Sequence, residues 1–252
     1  MPIYSHSKLE TFEQCPQKYK FKYIDKIKIK EKPIEAFLGS VVHITLDWLY
    51  QQVKQKKLPS IDETIIYYIT SWEKEYAPEV YITKQGLKTA DYFNMGITFI
   101  LDYYTKHRPF EDNTLETEKK IEISLDKTNE YKLVGIIDRL VYNKENDEIE
   151  IHDYKTANTL PTKDKMDNDR QLALYSIAIK EEFGSNNKIK LIWHYLAFNK
   201  KLVSERTDEQ LEKLKKETIE LIKRIESETE FPTNKSILCN WCPFKKICPA
   251  WN

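Results

Sequence analysis

Two short stretches carry residue types that could do chemistry together. One is Gly135-Ile136-Ile137-Asp138-Arg139, and the other is Ile149-Glu150-Ile151-His152-Asp153-Tyr154-Lys155. Both read as β-strands. On the second, alternate side chains share a face, so Asp153 and Lys155 project together on the face that also carries Ile149 and Ile151. A charged pair on an apolar face is costly to bury without a partner. A metal ion held by Asp138 and Asp153 would supply that partner, with Lys155 beside a water or an anionic substrate.

A second set of reactive side chains is the four cysteines, Cys15, Cys239, Cys242 and Cys248, three of them within the last 14 residues. In a reducing compartment such a set reads as metal ligation before disulfides. Four thiolates hold either a [4Fe–4S] cluster or a tetrahedral Zn²⁺. Pro16, Pro243 and Pro249 each follow a cysteine and fix the backbone there. Next to Cys15, seven lysines fall between positions 18 and 32, opposed by Asp25 and Glu31. Lys18, Lys20 and Lys22 alternate with Tyr19, Phe21 and Tyr23, a pattern suited to phosphate contact and base stacking. A solvated amphipathic segment would look the same.

The elements that must position these groups follow from periodicity. Residues 4–24 begin as a helix capped by Ser5 or Ser7. Residues 34–56 form a helix striped by Phe37, Val41, Ile44 and Trp48, with His43 off the stripe between Gly39 and Asp47 on its own face. Gly39 removes a side chain next to the imidazole. Taken alone, His43 reads as an ordinary packed or solvated histidine. Residues 61–108 are helical in two pieces, divided near Ala77-Pro78. Ile65, Ile66, Ile69 and Trp72 stripe the first, and Tyr92, Phe93, Ile97, Ile100, Leu101 and Tyr104 stripe the second. Strands follow at 116–125, 131–142 and 148–155, joined by connections short enough for an antiparallel meander. Then come a helix at 170–183 carrying Gln171 and Tyr175 one turn apart, a strand at 188–198 and a hairpin partner at 201–205. A helix at 207–228 opens with a capping box, Thr207-x-x-Gln210. The expected fold is α/β (α+β): a central mixed β-sheet flanked by helices, with a helical wall over residues 34–108, a core over 114–205 and a C-terminal cysteine tail. One domain over 1–252 accommodates all of it.

Composition excludes several classes. With 40 basic and 40 acidic residues the chain is balanced, so only a local basic path could attract nucleic acid. Glycine numbers five, leaving no Gly-rich phosphate loop. No apolar run reaches transmembrane length and Met1-Pro2-Ile3-Tyr4-Ser5-His6 has no signal core, so a soluble, cytoplasmic protein without a membrane partner is expected.

His43, Glu118, Gly-x-x-Asp138-Arg139, Asp153-Tyr154-Lys155 and Gln171-Leu-Ala-Leu-Tyr175 occur in this order. The set resembles the PD-(D/E)XK nuclease superfamily, and within it the RecB/AddB-type exonuclease branch that includes the CRISPR-associated adaptation nuclease. The resemblance spans about residue 5 to residue 249. It implies a restriction-endonuclease-like core and a DNA nuclease dependent on Mg²⁺ or Mn²⁺. Asp138, Asp153 and the Tyr154 carbonyl would bind the metal, and His43 would add a ligand that favours Mn²⁺. Lys155 would position or activate water and stabilise charge on the phosphate. Glu118, preferred over Glu116, would support the metal or its waters. Gln171 and Tyr175 would hold DNA or the catalytic loop. The cysteine spacing is similar to the iron–sulfur staple of this branch, which favours [4Fe–4S] over zinc and would set Lys18 to Lys32 beside Lys245 and Lys246. An exonuclease on single strands or DNA ends is implied, threaded beneath the helical wall. With no helicase or Walker motif, unwinding would need a helicase or CRISPR adaptation partner. The competing expectation is a catalytically quiet, metal-stapled DNA-binding subunit of a larger repair or CRISPR adaptation complex.

Overall fold

A computed structural model of the chain describes residues 3–184 and 186–251. Met1 and Pro2, the start of the N-terminal stretch without a signal core, lie outside the described residues. The chain opens with a short strand β1 (Tyr4–Ser5) and helices α1 (His6–Gln14) and α2 (Pro16–Tyr19), the latter running into a π-helical turn over Lys20–Ile24. A two-residue strand β2 (Lys32–Pro33) leads to α3 (Ile34–Lys54), α4 (Ile61–Glu75), β3 (Val80–Tyr81) and α5 (Thr89–His107). The central strands are β4 (Thr114–Ser124), β5 (Lys132–Asn143) and β6 (Glu148–Lys155). Then come α6 (Lys163–Asp167), α7 (Gln171–Phe183), β7 (Lys188–Tyr195), β8 (Lys200–Ser204) and α8 (Asp208–Ser227).

The main sheet runs β1-β5-β6-β7-β8, with β4 also on β5. β4, β5 and β6 are the expected antiparallel meander, but β7 lies parallel to β6 and β1 parallel to β5, so the sheet is mixed. The parallel β6–β7 pair needs a crossover, and the segment holding α7 supplies it. The end of the fourth expected strand, Leu196–Phe198, is instead a 3₁₀ turn. β1 falls in a stretch whose sequence predicts helix. Its two residues pair with Leu133 and Val134, while Ser5 Oγ accepts from Lys8 N and caps α1.

Two cores flank the sheet. On one side, α1, α7 and α8 bury Leu9, Leu172, Ile179 and Ile222 against Ile123, Ile151 and Trp193. On the other, α3, α4 and α5 pack around Leu46, Leu49, Tyr68 and Ile100. Full burial of one such aliphatic side chain is worth about 1.5–3 kcal/mol, so each face is held by many such contributions. The stripes differ from the simple spacing: Ile44, Ile66, Leu101 and Phe183 are exposed, while Val42, Thr45, Tyr68, Phe99 and Tyr103 are buried. Helices packed on two neighbours bury an arc wider than one stripe. The capping box of α8 forms as written, Gln210 N to Thr207 Oγ1 and Thr207 N to Gln210 Oε1.

His107, stacked on Tyr103 at 4.2 Å between centroids, titrates far below an ordinary histidine. Burial holds its pKa down to about 4, and Arg139 adds to the effect. The unfolded chain binds this proton near pH 6.5, before the folded chain does. The contribution is therefore fully present above pH 6.5 and is lost as pH falls from 6.5 to about 4. Urea midpoints for wild type should fall more steeply between pH 7 and pH 5 than those of His107→Gln. Parallel slopes for the two proteins would remove His107 from this account.

Candidate active site

The β5–β6 pairing ends at Arg139 and His152, next to Asp138 and Asp153, and His43 of α3 reaches both strands there. Asp138 Oδ2 accepts from the backbone N of Tyr154 at 2.8 Å. His43, from α3, donates through Nε2 to the Tyr154 carbonyl at 2.8 Å, and its Nδ1 lies 3.4 Å from Asp138 Oδ1. One stretch of β6 backbone thus faces both groups. Glu118 on β4 completes the cluster: ligand atoms of His43, Glu118 and Asp138 lie within 4.8 Å of one another. Gly39, expected to leave room beside the imidazole, makes room for Thr156, whose Oγ1 would lie 3.2 Å from an added Cβ.

Asp153 is 4% exposed. Lys155 Nζ donates to its Oδ1 at 3.0 Å and lies 2.8 Å from Oδ2. No hydrogen bond is directed at that second, buried oxygen. Lys155 also donates to Gln171 Oε1 at 2.9 Å, and Gln171 Nε2 lies 3.5 Å from Tyr175 Oη. Both helical residues are thereby tied to the lysine at the start of α7.

The electrostatics are those of crowded acids. Burial pushes the Asp153 carboxyl up to about 6 against the pull of Lys155, and the charge of Asp138 adds to the rise. Glu118 is also raised to about 6, by desolvation within the cleft and then by Asp138, although part of the side chain faces solvent. His43 loses solvation, yet the hydrogen bond and charge of Asp138, with Asp153 beyond, raise it to about 9. Acids that hinder one another's ionisation in a buried cleft form a site that favours a cation. Carboxylates, a carbonyl and one imidazole are donors suited to Mg²⁺ or Mn²⁺.

Strand alternation alone does not distinguish Glu118 from Glu116. The structure separates them through the backbone. Glu118 has φ 47°, left-handed for a non-glycine residue, and the β4–β5 register sets it opposite Asp138. Glu116 instead pairs with Lys119, which also meets Glu182 of α7. The alternation of β5 changes at the same level. Leu133 and Ile137 enter the α7-side core and Gly135 lies under Tyr175, whereas Arg139 turns to the aromatic side of α3 and α5.

Arg139 has no role that the sequence pattern specifies. It is 1% exposed, with its guanidinium 4.0 Å from the Tyr50 ring centroid. Nε donates to Tyr154 Oη at 3.0 Å and Nη2 to His152 Nδ1 at 2.8 Å, and Asp112 pairs with Nη1. The side chain of Tyr154 is thus anchored while its backbone faces Asp138 and His43. Adjacency to Asp138 is the only signal in the sequence, since Asp112 approaches from the loop before β4.

The four cysteines line one pocket, together with Lys18 and Lys245. Among the described residues only His43, Glu118 and Asp138 bring three ligand atoms within 4.8 Å, so no three cysteine sulfurs do. The chain ends meet here through Gln17 N to Pro232 O, Asn234 Nδ2 to Gln14 O and Phe21 on Phe244. Lys246 pairs with Glu31. Lys20 pairs with Asp25, and Lys22 lies over Tyr23. Of the three lysines Lys18, Lys20 and Lys22, Lys18 lines the cysteine pocket.

The chain is 26% identical over 246 residues to one subunit of the ATP-dependent helicase/deoxyribonuclease of Carboxydothermus hydrogenoformans. The match covers 84% of this chain and 22% of that protein, so the chain spans about a fifth of its relative. A crystal structure from Eubacterium rectale, named "putative exonuclease", shares the fold at a TM-score of 0.54 and 11% identity, covering 99% of this chain and 86% of that one. The family model of the PD-(D/E)XK nuclease superfamily matches residues 3–249, and the chain belongs to that superfamily.

Proposed function

We propose that this protein is a divalent-metal-dependent DNA nuclease acting as an exonuclease on single strands or DNA ends. The observation that carries the reading is the convergence of His43, Asp138 and the Tyr154 backbone beside the buried Asp153–Lys155 pair. Nucleases of this superfamily use divalent metals. His43, Asp138 and the Tyr154 carbonyl would hold the ion with Glu118 beside them, and Asp153 would join from the side of its pair with Lys155. When bound, it supplies a water of lowered pKa and neutralises charge on the phosphate. Lys155 contributes from the chain itself. From its place between Asp153 and Gln171 its ammonium would orient a water or a phosphate oxygen. Gln171 and Tyr175 fix the lysine and support the strand being cut. The relative's name, a helicase/deoxyribonuclease subunit, supports a helicase as partner.

We assign the cysteine pocket a [4Fe–4S] cluster. The support is the spacing Cys239-x2-Cys242-x5-Cys248 with a distant Cys15, and the gathering of all four in one pocket where the chain ends meet. Its role is structural, joining the chain ends beside the lysine-rich segment.

The direct test uses anaerobically purified protein, Mn²⁺ or Mg²⁺, and end-labelled linear and circular DNA in single- and double-stranded form. Linear single strands should shorten from an end, circles should persist, and chelation should stop the reaction. Cut circles would refute exonuclease action, and intact DNA throughout would refute the nuclease.

A further inference from the structure

On β5, the residues just before Asp138 do something unusual for a strand. Leu133 and Ile137 are fully buried, but Val134 and Ile136 between them are 39% and 45% exposed. These two large aliphatic side chains, four and two residues from a candidate metal ligand, share one exposed face of the strand. Their cross-strand neighbours on β4 are Glu122 opposite Val134 and Lys120 opposite Ile136. Glu122 is already paired with Lys132 at 2.6 Å, leaving Lys120 as the charge beside the apolar pair.

The two exposed side chains form the floor of a groove whose far wall is the junction of β1 and α1, with Ser5 and Ser7, and whose inner end is Gln171 and Tyr175. The last two connect the groove to Lys155 through the 2.9 Å hydrogen bond of Gln171. No Asp or Glu lines the groove among the described residues, although acids and bases are equally common in the chain. His6, in the same wall, has a buried Nδ1 without a partner. Apolar floor, hydroxyl wall, one lysine and no carboxylate complement a polyanion that also carries apolar sugar and base faces.

We infer that this groove is a nucleotide subsite. The DNA residue flanking the scissile phosphate packs its sugar and base on Val134 and Ile136, with Lys120 and the serine hydroxyls toward its phosphate. The inference rests on the nuclease reading and adds the side of the metal cluster from which the strand is held. Gly135 keeps the floor in place, because a Cβ there would lie 2.4 Å from the Tyr175 ring.

The test is the double variant Val134→Ser/Ile136→Ser in the full chain with its metal, cutting labelled single-stranded DNA. Because both side chains are exposed, the melting temperature should match wild type. Loss of the apolar contact should raise KM about tenfold, with kcat within about twofold. Leu101→Ser, an equally exposed aliphatic on α5, should leave both constants unchanged. A wild-type KM in the double variant overturns the subsite while leaving the nuclease reading intact. A wild-type protein that neither binds nor cuts DNA overturns both.

Discussion

Lys155→Ala and Asp153→Asn should each yield a folded protein that has lost DNA cleavage, and these are the largest effects on activity expected of any substitution. Among the described residues Lys155 is the one cation paired with Asp153, and it also reaches the side chain that leads to α7. Losing a preorganised donor at a developing negative charge costs about 10²–10³ in rate, and Asp153→Asn removes a metal-binding charge besides. Folding is affected far less. Asp153 already titrates near 6 because it is buried, so without Lys155 it takes up a proton instead of remaining as an uncompensated charge. The Lys155 side chain is also partly exposed, which limits what the pair adds to stability. Initial rates on end-labelled DNA, with circular dichroism and melting curves for both variants, separate the two effects. Wild-type rates in both would end the assignment of this centre. Rates lost together with the fold would show a structural role instead.

The second large effect concerns the cysteine pocket. Protein purified without oxygen should be brown and contain iron and acid-labile sulfide. Cys242→Ser should be colourless and markedly less stable. A cluster joining Cys15 to Cys239 closes a loop of more than two hundred residues. By the loop-entropy relation for crosslinks such a closure is worth about 5 kcal/mol, a large part of the roughly 5–15 kcal/mol typical of whole proteins. The hydrogen bonds of Gln17 and Asn234 and the Phe21–Phe244 contact hold the ends together without it. The variant should therefore unfold at lower urea and not collapse outright. A colourless wild-type protein with one zinc per chain would refute the iron–sulfur assignment. An unchanged urea midpoint in Cys242→Ser would refute the structural role.

Much of the site is legible because its residues announce themselves locally. Acid and lysine two positions apart at the end of an apolar strand make sense only if something compensates their charge, and Asp153 and Lys155 are placed so. The periods of α3, α5, α7 and α8 are readable, although the exposed Ile44, Ile66 and Leu101 show that a helix between two neighbours does not bury the stripe that spacing names first. Thr207 and Gln210 close their capping box within four residues, where no distant segment can interfere.

What the linear order cannot contain is pairing through space. Chain order places β1 inside a helix, because a two-residue strand exists only through its partner Leu133–Val134. The choice between Glu116 and Glu118 turns on one left-handed backbone angle opposite Asp138 and on a lysine that engages Glu116 elsewhere. Arg139 resembles a surface charge until Asp112, Tyr154 and His152 are placed around it. Val134 and Ile136 have the residue types of a core, yet the sheet leaves them in a groove. By itself, then, the sequence determined which side chains could do chemistry and which of the longer segments would be helix or strand, since these depend on residue type and spacing. Tertiary structure decided which carboxylate faces the histidine and what neutralises each buried charge. Those depend on distances between segments far apart in the chain, which local preferences do not encode.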